Sequence, residues 1–139
     1  MPKKEIEFLL IEDDDIDAKA FERSMREHKI GNSIVRARDG KEALSYLRGN
    51  NAKNRHQILM LDISMPRMNG FEFLEILRND DALKHHIVFV LTTSNNDIDR
   101  MRAYQKCISG YIVKANAGED FVQLMKLLDD FILCVEFPE

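Results

Sequence analysis

The sequence predicts an α/β fold in which a doubly wound, five-stranded parallel sheet carries helices on both faces. Five short apolar runs, typical of strands buried on both faces, alternate along the 139 residues with segments of helical period. Strict alternation of strand and helix favours parallel strands joined by right-handed crossovers. Because 45% of the residues are apolar, one core can form without disulfides, and we expect a single domain over residues 1–139.

The predicted strands are the apolar runs themselves. In chain order they cover residues 8–11, 34–37, 58–61, 87–91 and 111–113. The third run is the most informative, because four large apolar residues lead directly into Asp62. The polar segment before it, RGNNAKNRHQ at 48–57, predicts an exposed connection into the third strand.

The helices are predicted from apolar stripes between the strands. The first three stripes consist of Ile16, Ala20 and Met25, then Ala43, Leu44 and Leu47, then Phe71, Leu74 and Leu77. The fourth segment, 97–107, is mostly polar and predicts a surface helix with a thin stripe of Ile98, Met101 and Tyr104. The fifth helix is predicted to begin at Gly118 or Glu119 and to bury Phe121, Leu124, Leu128 and Phe131.

Composition excludes several functional classes. The formal net charge of -4 offers no basic field for nucleic acid or for an anionic membrane, so we expect direct contact with neither. The two cysteines, Cys107 and Cys134, show no metal-ligand spacing and suit a reducing compartment. The apolar run near the start is too short for a signal or membrane segment, and we therefore expect a cytoplasmic protein.

Acidic residues follow two of the predicted strands. Glu12 and Asp13 end the first strand, and Asp62 ends the third. In the order 2-1-3-4-5 of one doubly wound class these strands are neighbours, so the three carboxylates converge where open α/β sheets bind ligands. Like charges so close favour a cation between them, and an all-oxygen ligand set favours Mg²⁺. Asp14 and Asp15 are interpreted instead as caps of the following helix.

Two further strand ends complete the predicted site. Thr92 ends the fourth strand and Lys114 follows the fifth. Alone, a threonine there is usually a helix cap and a lysine a solvated surface residue. Beside three carboxylates they suit transfer of a phosphoryl group onto Asp62, with the metal and Lys114 neutralising the phosphoryl oxygens. The backbone carbonyl of Ser64 is a further candidate metal ligand.

Six positions and their surroundings carry a resemblance. They are the acid pair Glu12 and Asp13, Asp62 within LDISMPRMNG, Thr92 within VLTTS, and Tyr111 with Lys114 within SGYIVK. In this spacing the sequence resembles the receiver domains of two-component response regulators, over nearly the whole chain. The resemblance implies the flavodoxin-like fold with strand order 2-1-3-4-5.

The resemblance also implies a role for each residue. Asp62 would accept a phosphoryl group, with Mg²⁺ bound, from a phosphohistidine of a sensor histidine kinase or histidine phosphotransfer protein. Thr92 and Tyr111 would form a switch pair that alters partner binding. Without the resemblance, Tyr111 is interpreted nearly as well as a half-exposed strand residue that only packs. Such a protein modifies itself and turns over no small-molecule substrate. No output domain is expected, so the output would be binding of a protein target or phosphoryl shuttling.

One departure and one narrower similarity accompany the resemblance. Receivers usually follow the active-site lysine with a proline, whereas Ala115 follows Lys114 here, which leaves the geometry of that loop open. The segment 48–57 and the ending DDFILCVEFPE are similar to the stand-alone regulators that accompany bacterial phytochromes and related histidine kinases.

Other interpretations compete with this one. An FMN carrier would need hydroxyls and amides after the first strand, where EDDD repels phosphate. A haloacid-dehalogenase-like phosphatase would need a second aspartate where Ser64 stands, and a Toprim-type nuclease would need paired aspartates where only Asp62 is present. The remaining alternative is a phosphorylation-independent interaction module of the same fold. The intact set of Asp13, Asp62, Thr92 and Lys114 argues against it.

The end of the chain, 131–139, is more continuously apolar than one buried helix face requires. Ile132, Val135 and Phe137 cannot all face the sheet together with Leu128 and Phe131. Exposed apolar patches commonly mark interfaces, so we expect a homodimer through the last helix and the tail. The alternative is a tail that folds back over its own domain.

Overall fold

The computed structural model of the chain describes residues 6–53, 55–65 and 68–137. At its centre are five parallel strands: β1 (Ile6–Ile11), β2 (Ile34–Ala37), β3 (His56–Leu61), β4 (Ile87–Thr92) and β5 (Gly110–Val113). The strands are hydrogen-bonded in the order β2-β1-β3-β4-β5. This order confirms the predicted doubly wound, flavodoxin-like fold.

Helices flank the sheet: α1 (Asp15–Glu27), α2 (Gly40–Leu47), α3 (Asn50–Lys53), α4 (Gly70–Asn79), α5 (Asp97–Tyr104) and α6 (Val122–Cys134). Short polar side chains begin four of them. Asp14, Asp39, Asn69 and Asn96 accept hydrogen bonds from first-turn N–H groups that would otherwise lack partners. No helix among the described residues combines the length and apolar character needed to cross a bilayer.

The two faces of the sheet bury separate cores. Successive residues of a strand point to opposite faces, so Leu9 and Leu59 pack with residues of α2 and α4, whereas Phe8 and Ile58 pack with residues of α1 and α6. Every residue of β1 is buried, and so is every residue of β3 after His56. Coverage on both faces is the reason that these strands appear in the sequence as continuous apolar runs.

The first turns of two helices differ from the prediction. Ile16, predicted to face the core, is 79% exposed because it lies in the first turn of α1, and Ala18 and Phe21 are buried in its place. Phe121, predicted to lie in the last helix, instead ends a 3-10 turn over Glu119–Phe121. Its φ of 57° is left-handed and interrupts the helical path, so α6 begins at Val122 and not at the predicted Gly118 or Glu119.

Helix α5 lies on the surface, as its polar sequence predicts, but its apolar stripe faces outward. Ile98, Met101 and Tyr104 are 68%, 64% and 50% exposed. The small residue Ala103 is buried against the sheet. The helix also ends at Tyr104 rather than at the predicted Cys107, whose φ of 58° is not helical.

The described residues of segment 48–57 are mostly exposed, as its polarity predicts, but they do not form a plain connection. It contains the one-turn helix α3 and the first residues of β3. Glu7 of β1 is 1% exposed and requires hydrogen-bond donors. Arg55 Nη1 donates to it at 3.1 Å and Gln57 Nε2 at 3.2 Å, and the Tyr46 hydroxyl is a third donor. Two polar residues of this segment, Arg55 and Gln57, therefore serve a buried carboxylate.

The apolar end of the chain folds back onto its own domain. Phe137 is 6% exposed, and its ring lies 5.4 Å from the ring of His56 and 6.4 Å from that of Phe131. This position of Phe137 agrees with the alternative of a tail that folds back, because α6 ends at Cys134 and the chain beyond it turns back toward the sheet. Residues 138 and 139, the last two of the predicted extension, lie outside the described residues.

Gly70, the first residue of α4, packs against the backbone that follows Asp62. Its N–H donates to the carbonyl of Ile63 at 3.2 Å. A Cβ at this position would lie 2.5 Å from Ile63 Cα and 3.0 Å from the carbonyl oxygen of Asp62. Only glycine therefore allows α4 to begin directly beside the segment that carries Asp62.

We predict that Gly70→Ala lowers the free energy of unfolding by about 2 kcal/mol or more, because the added methyl group displaces buried backbone. Gly31→Ala is the matched control, since a Cβ there has no neighbour within 4 Å. It should leave stability unchanged or raise it by up to about 1 kcal/mol. Urea denaturation measures both changes, and equal midpoints for the two variants would contradict the prediction.

Candidate functional site

Three carboxylates meet at the carboxyl edge of the sheet. Glu12 and Asp13 directly follow β1, and Asp62 directly follows β3. These strands are neighbours in register, with Ile11 paired to Leu61. Each of the three side chains offers an oxygen, and these oxygens lie within 4.8 Å of one another. The structure thus brings together the three acids that the sequence singled out.

Burial makes this acid cluster electrostatically costly. Glu12 is 3% exposed and Asp62 is 7% exposed. Burial, opposed by a hydrogen bond from Lys114 and reinforced by the charge of Asp62, raises the pKa of Glu12 to about 7. A cation among the carboxylates would remove this cost, and carboxylate oxygens are the ligands that hard divalent ions prefer.

The loop between β1 and α1 is held by one aspartate cap and one arginine. Asp14 is the predicted cap, and its Oδ1 accepts two first-turn N–H groups of α1 at 2.8 and 3.0 Å. Arg36 of β2 donates to the carbonyl of Glu12 through Nε at 3.1 Å and Nη2 at 3.0 Å. Asp15, predicted as a cap as well, instead pairs with Arg36 and Arg38 at 2.6 and 2.9 Å, because Asp14 already occupies the capping position.

The two oxygens of Asp62 differ in their contacts. Oδ1 accepts hydrogen bonds from the Thr92 hydroxyl and the Ser64 amide, each at 3.0 Å. Oδ2 lies 3.9 Å from Nζ of Lys114, which is too long for a hydrogen bond. Thr92 is therefore directed at the acid rather than at a helix start. The carbonyl of Ser64 as a metal ligand stays a prediction.

Lys114 reaches the site from the end of β5 and has two closer acceptors. Its Nζ donates to Glu12 Oε1 at 2.7 Å and to Asp17 Oδ2 at 2.8 Å. Burial by itself favours the neutral amine, but the hydrogen bonds to Asp17 and Glu12 outweigh it and raise the pKa of Lys114. Asp17 is absent from the predicted site. The available signal was its position three residues after Asp14, in the first turn of α1.

The loop after Lys114 closes without the proline that is usual after this lysine. Residues Lys114–Asn116 form one 3-10 turn, in which Ala117 N–H donates to the carbonyl of Lys114 at 3.2 Å. Ala117 is 2% exposed, and its own carbonyl accepts from Gln123 and Leu124 at 3.1 and 3.3 Å. The main chain at Lys114 is thereby tied to the start of α6.

Tyr111 lies on the strand next to the one that carries Thr92. In the β4–β5 pair Thr92 is opposite Val113, so Tyr111 stands two residues earlier on the same side of β5. Its ring is half-buried, and its hydroxyl donates to the carbonyl of Ser94 at 3.0 Å. These positions suit a pair that moves together. The switch itself stays a prediction.

Residues 8–126 match the family model of the response regulator receiver domain. The chain belongs to this family. Receivers are signalling domains of two-component response regulators and not enzymes that act on small-molecule substrates. The interpretations of the chain as an FMN carrier, a phosphatase or a nuclease are therefore excluded. The matched stretch includes every predicted site residue of this receiver.

Relatives of this receiver align over most of its length. It is 32% identical over 127 residues to the probable methanogenesis regulatory protein FilR2 of Methanothrix harundinacea, covering 90% of this chain and 82% of FilR2. It is 27% identical over 128 residues to response regulator Rcp1 of Synechocystis sp., and the alignment covers 90% of this chain and 87% of Rcp1. The structure of the phosphorylated cyanobacterial phytochrome response regulator RcpA matches with a TM-score of 0.81 at 30% identity, and the match covers 96% of this chain and 98% of RcpA. The expected similarity to phytochrome-associated regulators is confirmed.

A divalent cation fits the donor set of this receiver. Glu12, Asp13 and Asp62 supply only hard oxygen ligands, and their mutual repulsion favours a positive ion between them. The structure of Rcp1 in its Mn²⁺-bound form matches the chain with a TM-score of 0.80 at 26% identity, covering 99% of this chain and all 100% of that one. The acids of the receiver are thus suited to a divalent metal ion.

We predict that ionisation of Glu12 lowers the free energy of unfolding of the metal-free receiver as the pH rises from about 5 to about 8. A carboxyl whose pKa rises on folding, here from 4.5 to about 7, stabilises the fold while protonated and loses that contribution as the pH rises through its folded pKa. Urea unfolding with a chelator present measures the free energy of unfolding at each pH. Its decrease with rising pH should be larger in wild type than in Glu12→Gln. Glu119→Gln, which removes an exposed carboxylate, should follow wild type. An identical pH dependence in wild type and Glu12→Gln would contradict the prediction.

Proposed function

We propose that this receiver accepts a phosphoryl group on Asp62 from a phosphohistidine of a sensor histidine kinase or a histidine phosphotransfer protein. The observation that carries the proposal is the convergence of three kinds of group on one carboxylate. Asp62 is surrounded by an acid pair that follows β1, a hydroxyl at the end of β4 and an ammonium that follows β5. Membership of the receiver family supports the same role.

In the proposed reaction an oxygen of Asp62 attacks phosphorus. A P–O bond forms, and the P–N bond of the phosphohistidine breaks with its electron pair returning to the imidazole nitrogen. Lys114, whose ammonium lies 3.9 Å from Asp62 Oδ2, stabilises the negative phosphoryl oxygens. The Thr92 hydroxyl, which donates to Oδ1 of Asp62, turns to donate to a phosphoryl oxygen. The receiver thus catalyses only its own modification.

We propose Mg²⁺ as the metal, held by the carboxylates of Glu12, Asp13 and Asp62 and by the backbone carbonyl of Ser64. Mg²⁺ prefers a small number of protein oxygen ligands together with water and phosphate oxygens, which this set leaves room for. When bound, the ion would neutralise charge on the phosphoryl group. The Mn²⁺-bound form of Rcp1 supports a divalent ion in a protein of this fold.

Phosphorylation is proposed to act through Thr92 and Tyr111. When the Thr92 hydroxyl turns toward the phosphoryl group, space opens beside the neighbouring strand, and the half-buried ring of Tyr111 moves inward. We propose that this change alters binding of a protein target, or that the phosphoryl group is passed on, in a cytoplasmic protein whose residues 1–139 form one receiver domain. The similarity to the phytochrome response regulator RcpA supports a donor kinase that is linked to a phytochrome.

The alternative function is a phosphorylation-independent interaction module of the same fold. Such a module would have no need of a buried carboxylate beside an acid pair and an ammonium, whose burial is costly. Asp13, Asp62, Thr92 and Lys114 are all in place at the edge of the sheet. The phosphoacceptor function is therefore the one that this site supports best.

The homodimer through α6 and the tail stays a prediction. With Phe137 against its own domain, the apolar surface left for a second copy is smaller than the sequence suggests. Leu133 is the most exposed apolar residue of α6, at 66%, and Leu127 is 45% exposed. A dimer through this helix would place these two side chains in its interface.

We predict that acetyl phosphate with Mg²⁺ adds one phosphoryl group to the wild-type chain and that Asp62→Asn abolishes the addition, because the amide lacks a nucleophilic oxygen anion. Intact-protein mass spectrometry counts the group. Asp129→Asn, which changes an exposed carboxylate of α6, should be labelled like wild type. Full labelling of Asp62→Asn would exclude Asp62 as the acceptor. A wild type that neither acetyl phosphate nor a histidine kinase labels would favour the interaction module.

We predict that Asp13→Ala weakens Mg²⁺ binding by at least about tenfold, because a hard cation loses one of its few anionic ligands. Asp15→Ala is the matched control, since it removes a nearby carboxylate, in the first turn of α1, that pairs with arginines rather than with the acid cluster. Titration calorimetry measures both affinities. If Asp13→Ala binds Mg²⁺ as tightly as Asp15→Ala does, Asp13 is not a ligand of the metal site.

A further inference from the structure

Lys114 has one hydrogen-bond acceptor that the proposed reaction does not use. Its Nζ donates to Glu12 at 2.7 Å and to Asp17 at 2.8 Å, while Oδ2 of Asp62 lies 3.9 Å away. Among the described residues, the acid cluster suited to a metal ion comprises Glu12, Asp13 and Asp62, so Asp17 stands outside it. The ammonium is therefore drawn toward α1 by a carboxylate with no other assigned role.

Asp17 is placed as a fixed anchor for this ammonium. Its backbone N–H donates to the capping carboxylate of Asp14 at 3.0 Å, which holds its main chain in the first turn of α1. The side chain of Lys114 is 12% exposed and that of Asp17 is 40% exposed, so solvent screens their pairing only in part. The main chain at Lys114 is held as well, through Ala117 and the start of α6. With its main chain held, the ammonium of Lys114 changes position by rotation of the long lysine side chain.

We propose that Asp17 is a positioning residue that holds the ammonium of Lys114 toward α1, away from Asp62, until a phosphoryl group arrives. This proposal rests on the function proposed above, in which Lys114 stabilises phosphoryl oxygens on Asp62. The ammonium has to leave Asp17 to approach those oxygens, so separation of this ion pair is part of the barrier to phosphorylation. Removing the carboxylate of Asp17 lowers that barrier.

Crystal structures of wild type and Asp17→Ala under the same conditions test the position of Lys114 directly. In Asp17→Ala its Nζ should move to about 3.0 Å from Asp62 Oδ2, within hydrogen-bond distance. Asp15→Ala is the matched control, because it removes a carboxylate from the same helical turn that pairs with Arg36 and Arg38. The control should keep the wild-type position of Lys114. An ammonium that does not move in Asp17→Ala overturns the proposal.

The rate at which acetyl phosphate labels Asp62 is the second readout. Asp17→Ala should raise this rate about fivefold, the factor that corresponds to a partly screened ion pair. Asp17→Glu, which restores a carboxylate on the same turn, should bring the rate back toward wild type. In a Lys114→Ala background the change Asp17→Ala should have no effect, because its partner is gone. A slower rate in Asp17→Ala, or the same effect in both backgrounds, overturns the proposal.

The two readouts separate this proposal from the function on which it rests. A wild-type protein that is never labelled at Asp62 would end the phosphoacceptor function, and the crystal structures would still decide whether Asp17 holds Lys114. If the wild-type protein is labelled and Asp17→Ala matches it in labelling rate and in the position of Lys114, only the positioning role of Asp17 is excluded.

Discussion

The organisation of this receiver depends on one electrostatic constraint: several carboxylates share one ammonium at the buried edge of a sheet. Burial and the nearby charge of Asp62 raise the pKa of Glu12 against the effect of Lys114, so the acids are only partly compensated. Asp17 adds a further negative charge to the same lysine. Groups held in such a costly state are typical of functional sites, because a ligand that supplies the missing charge is bound strongly.

The rest of the fold keeps these charges in place. Two buried cores fix β1 beside β3, and this adjacency brings Asp62 to the acid pair. Arg36 holds the carbonyl of Glu12 with two hydrogen bonds, which restrain the loop against the repulsion between its acids. Gly70 allows α4 to start against the segment after Asp62, and Ala117 ties the lysine loop to α6. The repulsive groups thus sit on backbone that packing and hydrogen bonds immobilise.

The same strand carries a second buried glutamate in the opposite situation. Glu7, near the amino end of β1, has three side-chain donors, from Tyr46, Arg55 and Gln57. With its charge compensated by Arg55 at 3.1 Å, this carboxylate requires no further cation. Glu12, at the carboxyl end, shares the ammonium of Lys114 with Asp17 and lies beside other acids. The contrast between a satisfied glutamate and a strained one separates the structural end of β1 from the reactive end.

The sequence by itself determined the alternation of strands and helices, the capping role of Asp14 and the acids at two strand ends, because apolar runs and caps involve residues close together in the chain. Only the tertiary structure decided which distant groups meet. Lys114 pairs with Asp17, 97 residues earlier, and Glu7 draws Gln57 of a polar segment inward from 50 residues away. The docking of Phe137 also depends on the end point of α6 and on His56 of another strand. Long-range partners of this kind are set by packing of whole elements, so no local sequence pattern predicts them.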